Sequence, residues 1–92
     1  MKYIIFRRKL QGDAHEFIPI LIPDCATHSR VSIGDEYKPD SAGFCFFNSN
    51  QKITVDFTRR SDSLNMGPKE QDEILLNSLI TNSGHHAFIK YD

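Results

Sequence analysis

The stretch SAGFCFFNSNQKITVDF, Ser41 to Phe57, decides the fold. Two apolar runs flank Asn48, Ser49, Asn50 and Gln51, all turn-forming residues, which is the pattern of a β-hairpin. A loop over Asn48–Gln51 sets Phe46 opposite Ile53 and Phe44 opposite Val55. Phe44, Phe46, Ile53, Val55 and Phe57 then share a core face, and Cys45, Phe47, Thr54, Asp56 and Thr58 a mixed, partly solvated one. Ala42 and Gly43 at the head let a neighbouring element approach closely. Arg59 and Arg60 follow at the exit.

Working outward, Tyr3 to Arg8 alternates as a strand, and Gly12-Asp13 is a turn signal. Phe17 to Ile22 reads as a second strand that pairs with the first. Pro19 cannot donate to a ladder, so this strand belongs at a sheet edge. Pro23 ends it. Asp24 to Val31 is expected to form one or two helical turns, capped by Asp24 or Thr27. Gly34 to Asp40, with Pro39, reads as a loop. After a loop at Ser61–Gly67, Pro68 opens a helix from Lys69 to Asn82. Its stripe is Leu75, Leu76, Leu79 and Ile80. Glu70, Asp72 and Glu73 suit the positive end of its dipole. Gly84 is the expected stop. His86 to Tyr91 reads as a last short strand or a tail. The expected architecture is α+β: one domain over residues 1–92, with a mainly antiparallel sheet of four to five strands and one long helix packed on one face.

Composition narrows the function. The chain has 92 residues, 39% hydrophobic and 25% charged, an ordinary globular balance. A chain of this length buries only about two-thirds of its unfolded surface, and such small chains often gain stability by oligomerising. Cys45 and the aromatic Phe47 on the second hairpin face point the same way, to a homodimer or higher homo-oligomer. The formal charge of -1 argues against bulk binding to nucleic acid or to an anionic membrane. No apolar run approaches the ~20 residues of a membrane span. Met1 to Lys9 lacks the long apolar core of a secretion signal, and two free thiols, Cys25 and Cys45, suit a reducing compartment. A cytoplasmic location is expected.

Three segments carry a resemblance. They are Pro23-Asp24-Cys25-Ala26-Thr27-His28-Ser29, then Ser41-Ala42-Gly43-Phe44-Cys45, then Ser61-Asp62-Ser63-Leu64 with Asp72 beyond it. In order and spacing, over roughly residues 2 to 80, the chain resembles a family of small phage- and prophage-encoded proteins. It departs from that family's pattern at Arg59-Arg60-Ser61, where the family often has Gly-Glu-Ser. A second departure is Pro68-Lys69-Glu70-Gln71-Asp72, where Ser-Arg-Pro-Glu-Asp is common. The family supplies no catalytic assignment. The resemblance implies a small accessory gene of a mobile element, acting in the cytoplasm of an infected bacterial host.

Among polar groupings, Arg59, Arg60, Ser61, Ser63 and Lys69 are the best candidate binding cluster. Arginine forks match phosphate or carboxylate oxygens, and loop donors and a nearby helix start add to them. The competing reading is a solvated surface. His28 is the next candidate, with a hydrogen-bonded turn residue as its plain reading. Cys25 and His28 lack the paired spacings of a structural zinc site. His28, Ser63 and Asp72 have the residue types of a hydrolytic triad without any local motif. No metal, cofactor or catalytic residue is expected.

These readings converge on a non-catalytic phage or prophage protein that antagonises a host antiviral defence. It would sequester an anionic nucleotide signal or occupy a defence protein. Alternatives are a small enzyme cleaving such a nucleotide, and a structural or regulatory interaction module of a mobile element.

Overall fold

The computed structural model describes residues 1–81. Four strands form one antiparallel sheet: β1 (Lys2–Lys9), β2 (His15–Ile22), β3 (Lys38–Phe47) and β4 (Ile53–Asp56). Their order is β2-β1-β3-β4. Helix α1 (Asp72–Thr81) completes an α+β fold. Strands β1 and β2 make the expected hairpin, and β2 lies at the edge, where Pro19 is tolerated. The segment after Pro23 contains a single 3-10 turn, His28–Arg30, and Thr27 before it makes no side-chain cap. Strand β3 starts at Lys38, inside the expected loop, and Ser41 and Pro39 pair with the consecutive Ile5 and Phe6. Asp40 is therefore the extra residue of a bulge.

Strand β1 is the spine because both of its faces are buried. Tyr3 and Ile5 join Cys45, Ile53, Val55 and Leu76 in one core, with Leu75 and Leu79 packed against it. Ile4 and Phe6 join Ile22 and Ala42 in a second core on the opposite face. That face is closed by Val31, Ile33 and Tyr37 from one connection and by Leu64 and Met66 from another. Full burial of one large apolar side chain contributes about 1.5–3 kcal/mol. An alternating strand contributes that on both sides only when something covers each face.

The β3–β4 hairpin departs from expectation. The loop runs from Asn48 to Lys52, one residue longer, so Phe47 pairs with Ile53, Phe46 with Thr54 and Cys45 with Val55. Asn48 builds this loop. Its Oδ1 accepts from the Asn50 and Lys52 amides at 2.8 and 3.2 Å, and its Nδ2 donates to Thr54 Oγ1 at 3.0 Å. Gln51 takes the left-handed conformation, φ 60°. A one-residue change of register moves every side chain to the other face. Relative to β4 it is β3 that is turned over: Cys45 joins Ile53 and Val55, which keep their expected core side, and Phe46 is 52% exposed; Phe57, also expected in the core, lies beyond the end of β4 and is equally exposed.

The helix is also shorter than expected, with ten residues from Asp72. Lys69 precedes it and is not helical. The Lys69 amide donates to Asp72 Oδ2 at 2.8 Å, and the Asp72 amide donates back to Lys69 O at 3.0 Å. This side-chain cap and backbone turn lead into a helix that begins at Asp72, three residues later than expected. Leu76 is fully buried, whereas Ile80, expected on the packed stripe, is 39% exposed. The expected stop at Gly84 and the strand or tail at His86–Tyr91 lie outside the described residues.

Candidate ligand-binding cleft

The segments Pro23 to Ser29, Ser41 to Cys45 and Ser61 to Leu64, with Asp72, meet in space. Ser41 Oγ and Tyr3 Oη both donate to Asp72, at 2.7 and 2.6 Å. His28 Nε2 donates to the Gly43 carbonyl at 3.0 Å, and the Ser29 amide donates to Ser63 Oγ at 3.2 Å. Tyr3, Ser41 and Asp72 are all fully buried. Burial pushes the Tyr3 hydroxyl well above its ordinary value, and its hydrogen bond to Asp72 adds to the shift. Gly43 explains the small residue at the strand head. A Cβ there would lie 3.3 Å from Tyr3 Cε2 and 3.4 Å from Tyr3 Oη, under a ring whose hydroxyl is already held. Sealed groups of this kind hold elements together and offer no access to substrate.

The open chemistry lies next to this junction, at the end of the sheet where β4 stops. The Phe44 ring is the floor. The Arg59 guanidinium lies over it, 3.7 Å from the centroid, as a close cation–π contact. The His28 ring meets Phe44 edge-on, with centroids 5.5 Å apart. Lys2 Nζ is 6.0 Å from the same ring and donates to Ala26 O at 2.8 Å. Around them opens a cleft of about 410 Å³, lined by Lys2, Asp24, Phe44, Phe46, Asp56 and Arg59, with Met1 and Cys45. Asp56 Oδ1 accepts from the Thr58 amide and hydroxyl, at 3.0 and 2.5 Å. Those bonds hold its carboxyl below the usual range, and neighbouring Arg59 adds to the effect. The cleft thus offers an exposed aromatic surface, the cations of Arg59 and Lys2, and two carboxylates, of which Asp24 pairs with the Met1 ammonium at 3.2 Å.

The expected cluster does not converge as a unit. Arg59 enters the cleft, and buried His28 props its floor. Arg60 turns away and donates to Asn65 Oδ1 at 3.1 Å. Ser61 is buried, pairing with Met66 through its backbone and accepting from the Leu64 amide at 3.3 Å. Ser63 is used by Ser29, and Lys69 Nζ pairs with Asp40 at 3.1 Å, which Arg7 also approaches at 3.8 Å. Asp72 is enclosed by Tyr3, Ser41 and Lys69, so no contact among the described residues joins it with His28 and Ser63. Cys25 is exposed, and burial pushes the Cys45 thiol up. Among the described residues, no group of three or more His, Cys, Asp or Glu side chains is placed to hold a metal ion, and no helix is long and apolar enough to cross a membrane.

Lys2, Asp24, Phe44, Phe46 and Asp56 were not expected at a site. Phe44 and Phe46 look like core in any hydropathy pattern, and only the hairpin register turns them outward. No protein-family profile matches the chain, and no curated protein or solved structure is significantly similar to it.

Proposed function

We propose that the protein is a non-catalytic binding protein whose cleft takes a small anionic ligand with a flat ring, a nucleotide by chemical class. The carrying observation is Arg59, fixed over Phe44 at 3.7 Å beside the half-exposed ring of Phe46. A base stacks on Phe46, a contact worth about 1–3 kcal/mol. The phosphate meets Arg59 and Lys2 through charge-assisted hydrogen bonds. Asp24 and Asp56 accept from ring N–H groups, which favours bases with donors at their edge. The resemblance to small phage proteins supports an anti-defence role, in which the bound nucleotide is a host immune signal and is sequestered intact.

A second reading rests on Phe47 and Phe57, each 52% exposed and outside the cleft lining. They suit contact with a protein surface, either a defence protein or a second copy of this chain.

The test is uptake of a panel of mono-, di- and cyclic nucleotides, followed by heat release and mass spectrometry. Intact release supports sequestration, an altered product marks an enzyme, and no uptake leaves the protein-contact reading. Arg59→Ala should weaken uptake roughly ten- to a hundredfold, from the loss of a charged hydrogen bond of about 1.5–3 kcal/mol. Arg60→Ala, which touches only the loop, should bind as wild type.

A further inference from the structure

The sheet face that carries α1 is covered over one half and open over the other. Leu76 packs with Tyr3, Ile5, Ile53 and Val55, and Asp72 at the helix start bonds Ser41, the partner of Ile5. Beyond Ile5, Arg7 and Lys9 continue the same parity of β1 and so stand on the same face. Arg7 lies directly opposite Phe17 on β2 and Lys38 on β3, and Lys9 lies opposite His15. Directly opposed residues share a face. Lys69 reaches this half from the segment before the helix, and the buried Asp40 carboxylate holds it at 3.1 Å and Arg7 at 3.8 Å. Arg7, Lys9, His15, Phe17, Lys38 and Lys69 are all exposed. Two features set this patch apart from a solvated surface. Arg7 and Lys38 are like charges placed directly opposite, which weakens a sheet. Among the described residues Lys9 and Lys38 form no ion pair, and the acidic neighbours in sequence, Asp13 and Glu70, pair with none of these cations. Phe17 is 38% exposed and its ring lies 6.3 Å from that of His15, so two rings stand side by side among the cations.

We infer that this open half of the sheet binds single-stranded nucleic acid, with bases stacked on Phe17 and His15 and phosphates held by Arg7, Lys9, Lys38 and Lys69. Stacking on side-chain rings accepts any base, and cations beside the rings track the backbone. The strand must be single, because bases inside a duplex present no free face. The anionic backbone also relieves the opposition of Arg7 and Lys38. A bilayer would need deeper apolar insertion than Phe17 and His15 provide. An acidic protein surface would match the charge and leave the pair of rings without a role. The formal charge of -1 argues against binding over the whole surface, and not against one face on which positive charge is gathered. The patch and the Phe44 cleft lie on opposite faces, since Phe44 pairs with Lys2, of the other β1 parity. The inference therefore stands whether or not the cleft takes a nucleotide.

Fluorescence anisotropy of the intact chain with a labelled oligothymidine about twelve nucleotides long tests this. The logarithm of the binding constant should fall with the logarithm of salt concentration at a slope of about -2 to -3, for three or four phosphates neutralised. Lys38→Thr should weaken binding and reduce that slope by about 0.7. Its melting temperature should equal or exceed the wild type's, because the repulsion with Arg7 is gone. Phe17→Ser should weaken binding roughly five- to a hundredfold at an unchanged slope, from the loss of one stack. An abasic strand of the same length should bind the wild type about as weakly as oligothymidine binds Phe17→Ser. Arg59→Ala, altered in the cleft alone, should bind oligothymidine as wild type. No binding at low salt would overturn the inference, as would binding that Lys38→Thr and Phe17→Ser leave intact. So would an abasic strand held as tightly as oligothymidine, or capture by phosphatidylserine vesicles of a protein that ignores the strand. Loss of the strand in Arg59→Ala would place it in the cleft, overturning this inference and leaving the cleft reading in force.

Discussion

Substituting Asp72 by alanine should be among the most damaging single changes in the chain. Its carboxylate accepts from the Tyr3 hydroxyl at 2.6 Å, the Ser41 hydroxyl at 2.7 Å and the Lys69 amide at 2.8 Å. Tyr3 and Ser41 are wholly buried, so neither hydroxyl can turn to water once the acceptor is gone. A stranded buried donor costs about 1–3 kcal/mol, so the two together amount to roughly 2–6 kcal/mol, before any loss of helix capping at Lys69. Against a total stability of about 5–15 kcal/mol, the upper part of that range unfolds the protein. Urea unfolding followed by far-ultraviolet circular dichroism measures the loss, and the melting temperature should fall by at least about 8 °C. Ser41→Ala is the milder companion. It removes one donor, leaves two on Asp72, and should cost about 1.5–3 kcal/mol. Adding Tyr3→Phe to Asp72→Ala should be less than additive, because the hydroxyl it removes has already lost its acceptor. An Asp72→Ala protein within about 0.5 kcal/mol of wild type would refute the idea that this buried junction ties helix to sheet.

Phe46→Ala should leave the melting temperature almost unchanged, since the ring is 52% exposed, whereas Ile53→Ala, at a fully packed position, should cost about 2–5 kcal/mol. The raised Tyr3 hydroxyl makes folding stability sensitive to alkali. The folded state holds its proton more tightly than the unfolded chain, so this stability is fully present below the ordinary tyrosine value of 10.0 and is lost as pH rises above it. Chemical-denaturation midpoints across that range should fall with pH, and Tyr3→Phe should flatten the slope, leaving the weaker contribution of Tyr37, whose hydroxyl is also raised. Gly43→Ala should destabilise by about 1–3 kcal/mol, because Asp72 holds the Tyr3 ring that would have to move; the same substitution in Tyr3→Leu should be better tolerated.

The parts of the fold legible in the sequence are those in which parity or punctuation is unambiguous. Strands β1 and β2 are apolar at both parities, but they are bounded by Gly12 and Pro23, Pro19 announces the edge of β2, and β1 needs no choice of face because both of its faces are buried. The hairpin register is not legible in the same way. Phe44, Cys45, Phe46 and Phe47 are apolar at both parities, so either face can pass for the core. Loop length alone decides between them, and that length depends on Gln51 accepting a left-handed conformation that nothing in Gln51-Lys52 announces. The site inherits the same ambiguity. The charge of Arg59 is evident from its position, but its seat over Phe44 follows only once that ring is turned away from the helix.

The roles of the segments at Pro23–Ser29, Ser41–Cys45 and Ser61–Leu64 follow from where they meet rather than from what each contains. Ser41, Gly43, His28 and Asp72 are residue types that invite catalytic readings, yet each polar side chain among them is used on another part of the chain. Their effect on the cleft is indirect. His28 bonds the Gly43 carbonyl and touches the edge of Phe44, so it fixes the ring on which Arg59 rests. A His28→Ala protein should therefore lose stability first, through the lost second hydrogen bond to the Gly43 carbonyl and the space left by the buried ring, and lose ligand through a tilted Phe44 second. His28→Gln, which can still donate to that carbonyl, should recover most of the stability. If His28→Gln melts as wild type and still binds nucleotide weakly, the imidazole contacts the ligand itself, and its place is in the site rather than beneath it.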